Sequence, residues 1–230
     1  MDNSMNYYDQ MLAQGAVMNG GVMLQAEGSI GGQFANPFPG PAKIYAGDLI
    51  EHDLGIVSGK GATVKVLKAY EVAKATEGAT DTVIYLTRNG FVHIPFVGDN
   101  IMVGQKDFTT KGTGVTVTKV ETETDATAGD VWKVTLSATL GTLKKKTVLV
   151  EAAAAGASVL PMVTNPNCFA PNDYDLPFFD LGGDKYHKPR YNINFCMLHP
   201  DLVMWIDKMG PVCPAVAAMN KSLYPEFWRI

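Results

Sequence analysis

The sequence predicts a mainly β protein, namely a small antiparallel sandwich or barrel with an extended N-terminal arm and an irregular, partly helical C-terminal segment. Seventeen of the eighteen threonines lie within residues 43–160. Apolar and polar residues tend to alternate there, as they do in half-buried strands. Nine of the thirteen prolines follow residue 160. These shifts divide the chain into an arm (1–42), a β-domain (43–160) and a C-terminal segment rich in aromatic residues and proline (161–230).

The arm contains five of the eleven methionines and a Gly-rich stretch. A short helix is predicted over residues 6–16, followed by extended or irregular chain. The arm has too little periodic apolar pattern to belong to a core, so its removal up to residue 35 is expected to leave the fold intact. It is either disordered or ordered only against a neighbouring protein, and its methionine and aromatic side chains favour the second. Its candidate interface residues are Tyr8, Met11, Leu12, Phe34 and Phe38.

Within the β-domain, the clearest prediction is a hairpin over residues 82–96, with a turn at Asn89-Gly90 and positive φ at Gly90. A second hairpin joins residues 115–124 to residues 131–139. Its alternation slips near Lys119 or Val120, which predicts a β-bulge. Further strands are predicted over 44–50, 63–72, 101–105 and 147–150, and a turn is predicted over 144–146.

The C-terminal segment predicts one helix that begins at Pro200 and ends before Gly210-Pro211, and a helical turn or two over residues 214–219. Near its end, Tyr224, Phe227 and Trp228 would form an aggregation-prone surface if all three faced water. We therefore expect them to be covered, either by the predicted helix or, as we favour, by a neighbouring subunit. They complete the set of candidate interface residues.

Motifs for chemistry are few, so no enzyme, no catalytic residue, no metal and no cofactor are predicted. The stretch 55–61 lacks the first glycine and the Ser/Thr of a phosphate-binding loop. Cys168, Cys196 and Cys213 are expected to be reduced core thiols instead of disulfide or zinc partners. The acidic run between 172 and 184 predicts a solvated loop, with calcium binding as the alternative. His93 is expected to serve packing or to lie at the surface.

Charge and hydropathy exclude two classes of partner. The chain has 19 Lys+Arg against 23 Asp+Glu, a formal net charge of -4, which argues against nucleic-acid binding. The first basic residue is Lys43, and no apolar run is long enough for a membrane span or a secretory leader. A soluble chain without membrane contact is predicted.

Four stretches of the chain resemble small β-domains of tailed-phage virions. They are Ile44-Tyr-Ala-Gly-Asp-Leu-Ile50, Gly98-Asp-Asn-Ile-Met-Val-Gly104, Val148-Leu-Val-Glu-Ala-Ala-Ala-Ala155 and Val163-Thr-Asn-Pro-Asn167. Over residues 43–168 the chain is similar to capsid auxiliary and head-fibre proteins, those of crAss-like phages included. The resemblance implies a non-enzymatic β-domain on the capsid surface of a virion that assembles in the host cytoplasm. Its implied partners are the major capsid protein, other virion proteins or a second copy of the chain.

Two functions therefore follow from the sequence. The first is that of a virion structural protein, a capsid auxiliary or head-decorating subunit that binds neighbours through its terminal extensions. The alternative is a carbohydrate-binding or adhesive β-module, in which clustered Trp and Tyr side chains of the C-terminal segment stack on sugars.

Overall fold

The computed structural model describes residues 30–35, 42–53, 62–176, 190–193, 196–198 and 202–230 of the chain. Strands dominate these ranges, which confirms the mainly β prediction. In chain order the strands are β1 (Ile30–Phe34), β2 (Ala42–Ile44), β3 (Leu49–His52), β4 (Ala62–Val66), β5 (Ala69–Lys74), β6 (Val83–Thr87), β7 (Asn100–Val103), β8 (Gly112–Asp125), β9 (Gly129–Leu136), β10 (Val148–Glu151), β11 (Gly156–Val159), β12 (Cys168–Phe169), β13 (Tyr174–Leu176), β14 (Arg190–Ile193), β15 (Cys196–Met197), β16 (Val203–Trp205) and β17 (Phe227–Arg229). A 3-10 turn, Ile206–Lys208, and one short helix, α1 (Pro214–Met219), complete the described elements.

Six consecutive antiparallel strands, β5 to β10, close into a ring. Their spatial order is β8-β7-β10-β5-β6-β9, and β9 pairs back with β8. Closure of this six-stranded ring gives each ring strand a hydrogen-bonded neighbour on both sides, so the ring has no open edge strand. Alternate strand side chains point inward and, with Leu143 from the loop between β9 and β10, form its core: Tyr70, Val72, Ile84, Leu86, Ile101, Val115, Val117, Val134, Leu136, Leu143 and Leu149.

A second sheet has the order β14-β1-β4-β3-β12-β15. Strand β1 lies inside this sheet, parallel to β4 and antiparallel to β14. The arm thus supplies one strand of this sheet, which argues against the expectation that residues 1–35 can be removed with the fold intact. The Gly-rich sequence of β1 lacks an apolar pattern, but backbone pairing does not require one. The rest of the arm lies outside the described residues.

The C-terminal segment packs on the outside of the ring. Strands β16 and β17 pair with each other, and α1 lies beside them. One core lies in the ring and a second lies beside the second sheet, around Ile50 and Val66. A third core joins the C-terminal segment to side chains of the predicted β-domain: Ala46, Leu49, Leu67, Met102, Phe108, Val150, Ala152, Val163, Phe169, Leu202, Met204, Met209, Cys213, Ala215, Val216 and Trp228. Residues on both sides of position 160 thus share one core.

The two predicted hairpins have different outcomes. Strands β8 and β9 form the second hairpin, and its register shifts between Val117 and Lys119, which confirms the predicted bulge. The hairpin over 82–96 is wrong in its second half, because β6 pairs with β5 on one edge and with β9 on the other. Residues 91–96 are irregular. A turn does form at Asn89, whose Oδ1 accepts the N–H of Phe91 at 2.9 Å, but Gly90 does not adopt positive φ.

Two predicted strands are interrupted. The stretch 44–50 is broken by a turn in which Asp48 Oδ2 accepts the N–H of Tyr45 at 2.7 Å. The stretch 63–72 is divided at Leu67 and Lys68 into β4 and β5. At residues 144–146 the predicted turn is present, and the N–H of Thr147 donates to the carbonyl of Lys144 at 3.0 Å.

The helix predicted to begin at Pro200 and to end before Gly210 is wrong. Residues 203–205 form β16, which pairs with β17, and only a 3-10 turn follows. The N–H of Ile206 continues the pairing by donating to the carbonyl of Glu226 at 3.0 Å. A ten-residue amphipathic pattern is marginal as a helix, and pairing with β17 overrides it. Within the described ranges, the α-helix lies where the sequence predicted a helical turn or two, over residues 214–219.

Candidate protein-binding surface

The last strand separates two aromatic side chains onto opposite faces. Met204 of β16 is paired with Trp228 of β17, and Trp205 with Phe227. Because side chains alternate along a strand, Trp228 and Met204 face inward and are 0% exposed. Trp205 and Phe227 lie on the outer face in a T-shaped contact, with ring centroids 4.8 Å apart.

Trp228 anchors the C-terminal segment. Its indole Nε1 donates to the carbonyl oxygen of Val216 in α1 at 3.1 Å. That carbonyl belongs to the last turn of a short helix, where carbonyl groups lack the full set of intrahelical partners. The expectation that a neighbouring subunit covers Trp228 is wrong, since its own chain buries it completely.

The loop between α1 and β17 is fixed by hydrogen bonds to its backbone, from the Asn220 side chain and from other backbone groups. Asn220 Oδ1 accepts the N–H groups of Ser222 and Arg229, each at 3.0 Å. The N–H of Lys221 donates to the carbonyl of Arg229 at 2.7 Å, and the N–H of Phe227 donates to that of Tyr224 at 3.1 Å. The loop is therefore tied to the strand that Trp228 anchors.

This loop holds two apolar side chains in water. Leu223 is 95% exposed and Tyr224 is 66% exposed. Tyr224 is perpendicular to Phe227, with ring centroids 6.5 Å apart. Around them lies a recess of about 530 Å³, here called the C-terminal recess, which is lined by Val203, Lys221, Ser222, Leu223, Tyr224, Phe227 and Arg229.

The lining of the C-terminal recess defines the ligand that it suits. Leu223, Tyr224 and Phe227 provide apolar and aromatic surface, while Lys221 and Arg229 add two cationic groups. Aromatic residues and arginine are enriched at the centre of protein interfaces. The recess therefore fits an apolar side chain next to an acidic one.

The structure brings together only part of the predicted interface set. Tyr224 and Phe227 line the C-terminal recess, whereas Phe34 lies in β1 opposite Val64. The other arm candidates, Tyr8, Met11, Leu12 and Phe38, lie outside the described residues. The sequence analysis did not select Leu223, because this residue belongs to no periodic pattern. The one available signal was its position between the polar pair Lys221-Ser222 and the pair Tyr224-Pro225.

His93 is buried, in line with a packing role. It is 3% exposed, and its ring contacts that of Tyr45 edge-on at a centroid distance of 5.3 Å. Its Nε2 atom lies 3.0 Å from Oδ2 of Asp48 without the alignment of a hydrogen bond, and among the described residues this nitrogen has no hydrogen-bond partner. Burial, followed by the charge of Asp48, raises the pKa of the Tyr45 phenol.

Among the candidate metal ligands, Asp173 has a structural role. One carboxylate oxygen pairs with Nζ of Lys43 at 2.8 Å, and the other accepts the N–H of Ala46 at 2.8 Å. Cys168 and Cys213 are buried and are not joined in a disulfide, as expected for reduced core thiols. In the described ranges, no three His, Cys, Asp or Glu residues group as metal ligands would. The acidic residues from 177 to 184 lie outside those ranges.

Comparisons of the chain with protein-family models, with curated proteins and with solved structures found no match. In the part of the chain that the structure describes, no helix has the length and apolar character needed to cross a membrane.

Proposed function

We propose that this chain is a virion structural protein, a capsid auxiliary or head-decorating subunit of a tailed phage that binds neighbouring subunits through its terminal extensions. The observation that carries the proposal is the C-terminal recess, where a fixed loop holds Leu223 and Tyr224 in water. An isolated chain gains nothing from apolar side chains held in this way. A binding surface gains from them, because the loop is ordered before the partner arrives.

The free energy available from burying these side chains against a partner supports the same proposal. Fully burying a leucine side chain is worth about 1.5 to 3 kcal/mol, and Leu223 has almost all of this still to gain. Tyr224 adds a rigid aromatic surface with a polar tip, a combination that is common in interface anchors. The cations Lys221 and Arg229 at the recess favour a partner segment that carries a carboxylate beside its apolar residue.

The carbohydrate-binding alternative has one supporting observation, the exposed ring of Tyr224, which could stack on a sugar. Its neighbour Phe227 is perpendicular to it, with an interplanar angle of 90°. The two rings therefore do not share a flat platform. The prediction that the chain is not an enzyme stays a prediction.

The proposal is tested with particles produced from the phage genome that encodes the chain. Wild-type chain should remain with density-purified capsids, as detected by mass spectrometry of the particles. The double variant Leu223→Ser, Tyr224→Ser should melt like the wild type but be roughly tenfold depleted from the particles, since its binding energy falls by more than about 1.4 kcal/mol. Val97→Ser, at a 57% exposed apolar residue that does not line the recess, is the matched control and should be incorporated normally.

Two outcomes would refute the proposal. If the chain is absent from purified particles, it is not a virion protein. If the double variant is incorporated normally, the C-terminal recess is not the binding surface. Binding of the wild type, but not of Tyr224→Ser, to a glycan array, together with normal incorporation of that variant, would favour the carbohydrate alternative.

A further inference from the structure

Four polar side chains are buried together at one end of the six-stranded ring. Lys68, Asp99 and Glu151 have side chains that are 1%, 0% and 2% exposed, and Tyr70 is 0% exposed. Charged side chains are almost never buried this deeply unless they are paired. We call this group the lysine cluster.

Strand pairing explains why these residues meet. Lys68 precedes β5 and is on the same side as Tyr70, while Asp99 immediately precedes β7. Strand β10 lies between β5 and β7 and ends at Glu151. The N–H of Glu151 donates to the carbonyl of Lys68 at 3.1 Å. Because β10 is antiparallel to both neighbours, its last residue lies next to their first ones.

The contacts within the lysine cluster are close but not tight. Lys68 Nζ lies 3.5 Å from Oδ1 of Asp99 and 3.4 Å from Oε2 of Glu151. Charge-assisted hydrogen bonds are usually about 2.7–2.9 Å long. The amine nitrogen therefore lies within reach of both carboxyl groups, at distances slightly longer than those of a short charge-assisted hydrogen bond.

The two carboxyl oxygens of Asp99 have different hydrogen-bond partners. Oδ1 faces Lys68, whereas Oδ2 accepts hydrogen bonds from the hydroxyl of Tyr70 and the backbone N–H of Phe96, each at 3.1 Å. Two fixed donors on one carboxyl oxygen resemble the arrangement that stabilises an oxyanion during acyl transfer. Burial above all, with the nearby charges of Asp99 and Glu151, raises the pKa of Tyr70 well above its usual range, so its hydroxyl remains a donor.

Burial favours condensation of these groups with one another. The side chains of Lys68, Asp99 and Glu151 are withdrawn from water. Condensation turns an ammonium and a carboxylate into a neutral amide, which removes two buried charges that each cost several kcal/mol to desolvate. In a dry site the amide then persists, because hydrolysis lacks its water.

We propose that Lys68 and Asp99 form an intramolecular isopeptide bond, with Glu151 as the proton carrier. Lys68 Nζ attacks Cγ of Asp99, and the resulting oxyanion at Oδ2 is held by Tyr70 and the N–H of Phe96. Glu151 carries two protons in turn from Nζ to Oδ1, one before and one after the attack, so that Oδ1 leaves as water and Glu151 ends as it began. One C–N bond forms, one C–O bond breaks and one water is released, so the step needs no oxidant or other reactant.

The bond would covalently join the start of β5 to the residue before β7, across β10. Such a cross-link would hold one end of the six-stranded ring closed under load. The inference goes beyond the proposed function and does not depend on it, since the reaction needs only the folded chain.

The test is the intact mass of the purified full-length chain after it has been held folded and then denatured. The expected mass is that of the sequence minus one water. Trypsin should fail to cleave after Lys68, and peptide 66–74 should be recovered joined to peptide 89–106, with fragmentation placing the link on Lys68 and Asp99. A full sequence mass, or a link from Lys68 to Glu151, would overturn the proposal.

Variants assign the roles. Lys68→Met and Glu151→Gln should each retain the water and show the full mass of their own sequences. Lys133→Met is the matched control, because Lys133 Nζ lies only 3.0 Å from Glu123 but the two side chains are 35% and 38% exposed; it should still lose one water. A Glu151→Gln chain that loses the water would refute the role of Glu151. The wild-type mass decides the main question even if a cluster variant does not fold.

Discussion

Trp228 shows how one residue near the chain end can hold an element in place. It is fully buried and hydrogen-bonded to α1, so Trp228→Ala removes both a large apolar group and the partner of the Val216 carbonyl. We expect a loss of about 3–5 kcal/mol in the free energy of unfolding, measured by urea denaturation. Tyr224→Ala, at a 66% exposed position on the same loop, should change it by less than about 0.5 kcal/mol. Equal midpoints for the two variants would show that Trp228 is not the anchor.

Glu51 is the residue from which we expect a pH dependence. Burial alone would raise its pKa, but hydrogen bonds from Lys65, from the N–H groups of Thr164 and Asn165 and from the Thr164 hydroxyl outweigh burial and lower it. The N–H groups of Thr164 and Asn165 lie 2.6 and 2.9 Å from Oε2. The carboxylate thus ties β3 to the segment that leads into β12.

Because the folded-state pKa of Glu51 is lowered, its contribution to stability is present above the ordinary glutamate range and is lost as pH falls through the lowered value. Glu51→Gln should therefore be less stable than the wild type by about 1–2 kcal/mol at neutral pH, given typical energies of hydrogen bonds to charged groups. The difference should shrink as the medium is acidified towards and below the folded-state pKa. Urea denaturation of both proteins across a pH series checks this, and a difference that does not change with pH would contradict it.

At the scale of elements, the contact between β8 and β11 depends on a glycine. A Cβ atom at Gly114 would lie 2.2 Å from the carbonyl oxygen of Ala154 and 2.9 Å from Cγ2 of Val159. Gly114→Ala should thus destabilise the protein by about 1–3 kcal/mol through overpacking. Gly90→Ala is the control, because a Cβ there meets nothing within 4 Å and φ is not positive. Thermal melts that rank the two variants in the opposite order would refute both assignments.

Local pattern predicted the elements whose pairing is local. The β8–β9 hairpin and its bulge followed from alternation alone, since the two strands are neighbours in sequence and pair with each other. The hairpin over 82–96 failed because β9, more than forty residues downstream, occupies the edge of β6. The helix over 200–210 failed for the same reason, as β16 pairs with β17. Non-local partners cannot be read from a short window.

The functional residues divide in the same way. The aromatic cluster near the chain end was visible in the sequence, but which side chain is buried depends on the register of β17, so Trp228 was assigned to the wrong surface. Lys68, Asp99 and Glu151 carried no motif, because they are separated in sequence by 31 and 52 residues and meet only when β10 lies between β5 and β7. Ring closure creates the lysine cluster.

At the scale of the whole molecule, the predicted domain boundary at residue 160 can be tested with the fragment 43–160. It contains all six ring strands, so we expect it to unfold cooperatively by itself. It lacks β12, which pairs with β3, and it lacks the α1 and β17 side chains that cover Met102 and Val150 in the third core. Its free energy of unfolding should therefore be several kcal/mol below that of the full chain, since each large apolar side chain left uncovered loses about 1.5–3 kcal/mol.

Urea denaturation followed by circular dichroism measures this difference, with the full-length chain as the control. The fragment should also bind a hydrophobic dye that the full-length chain does not bind, because the outer face of the ring is apolar where α1 normally lies. A fragment without a cooperative transition would show that the ring needs the C-terminal segment to fold. A fragment as stable as the full chain would show that the third core adds little, and that the C-terminal segment is free to leave the ring when a partner binds it.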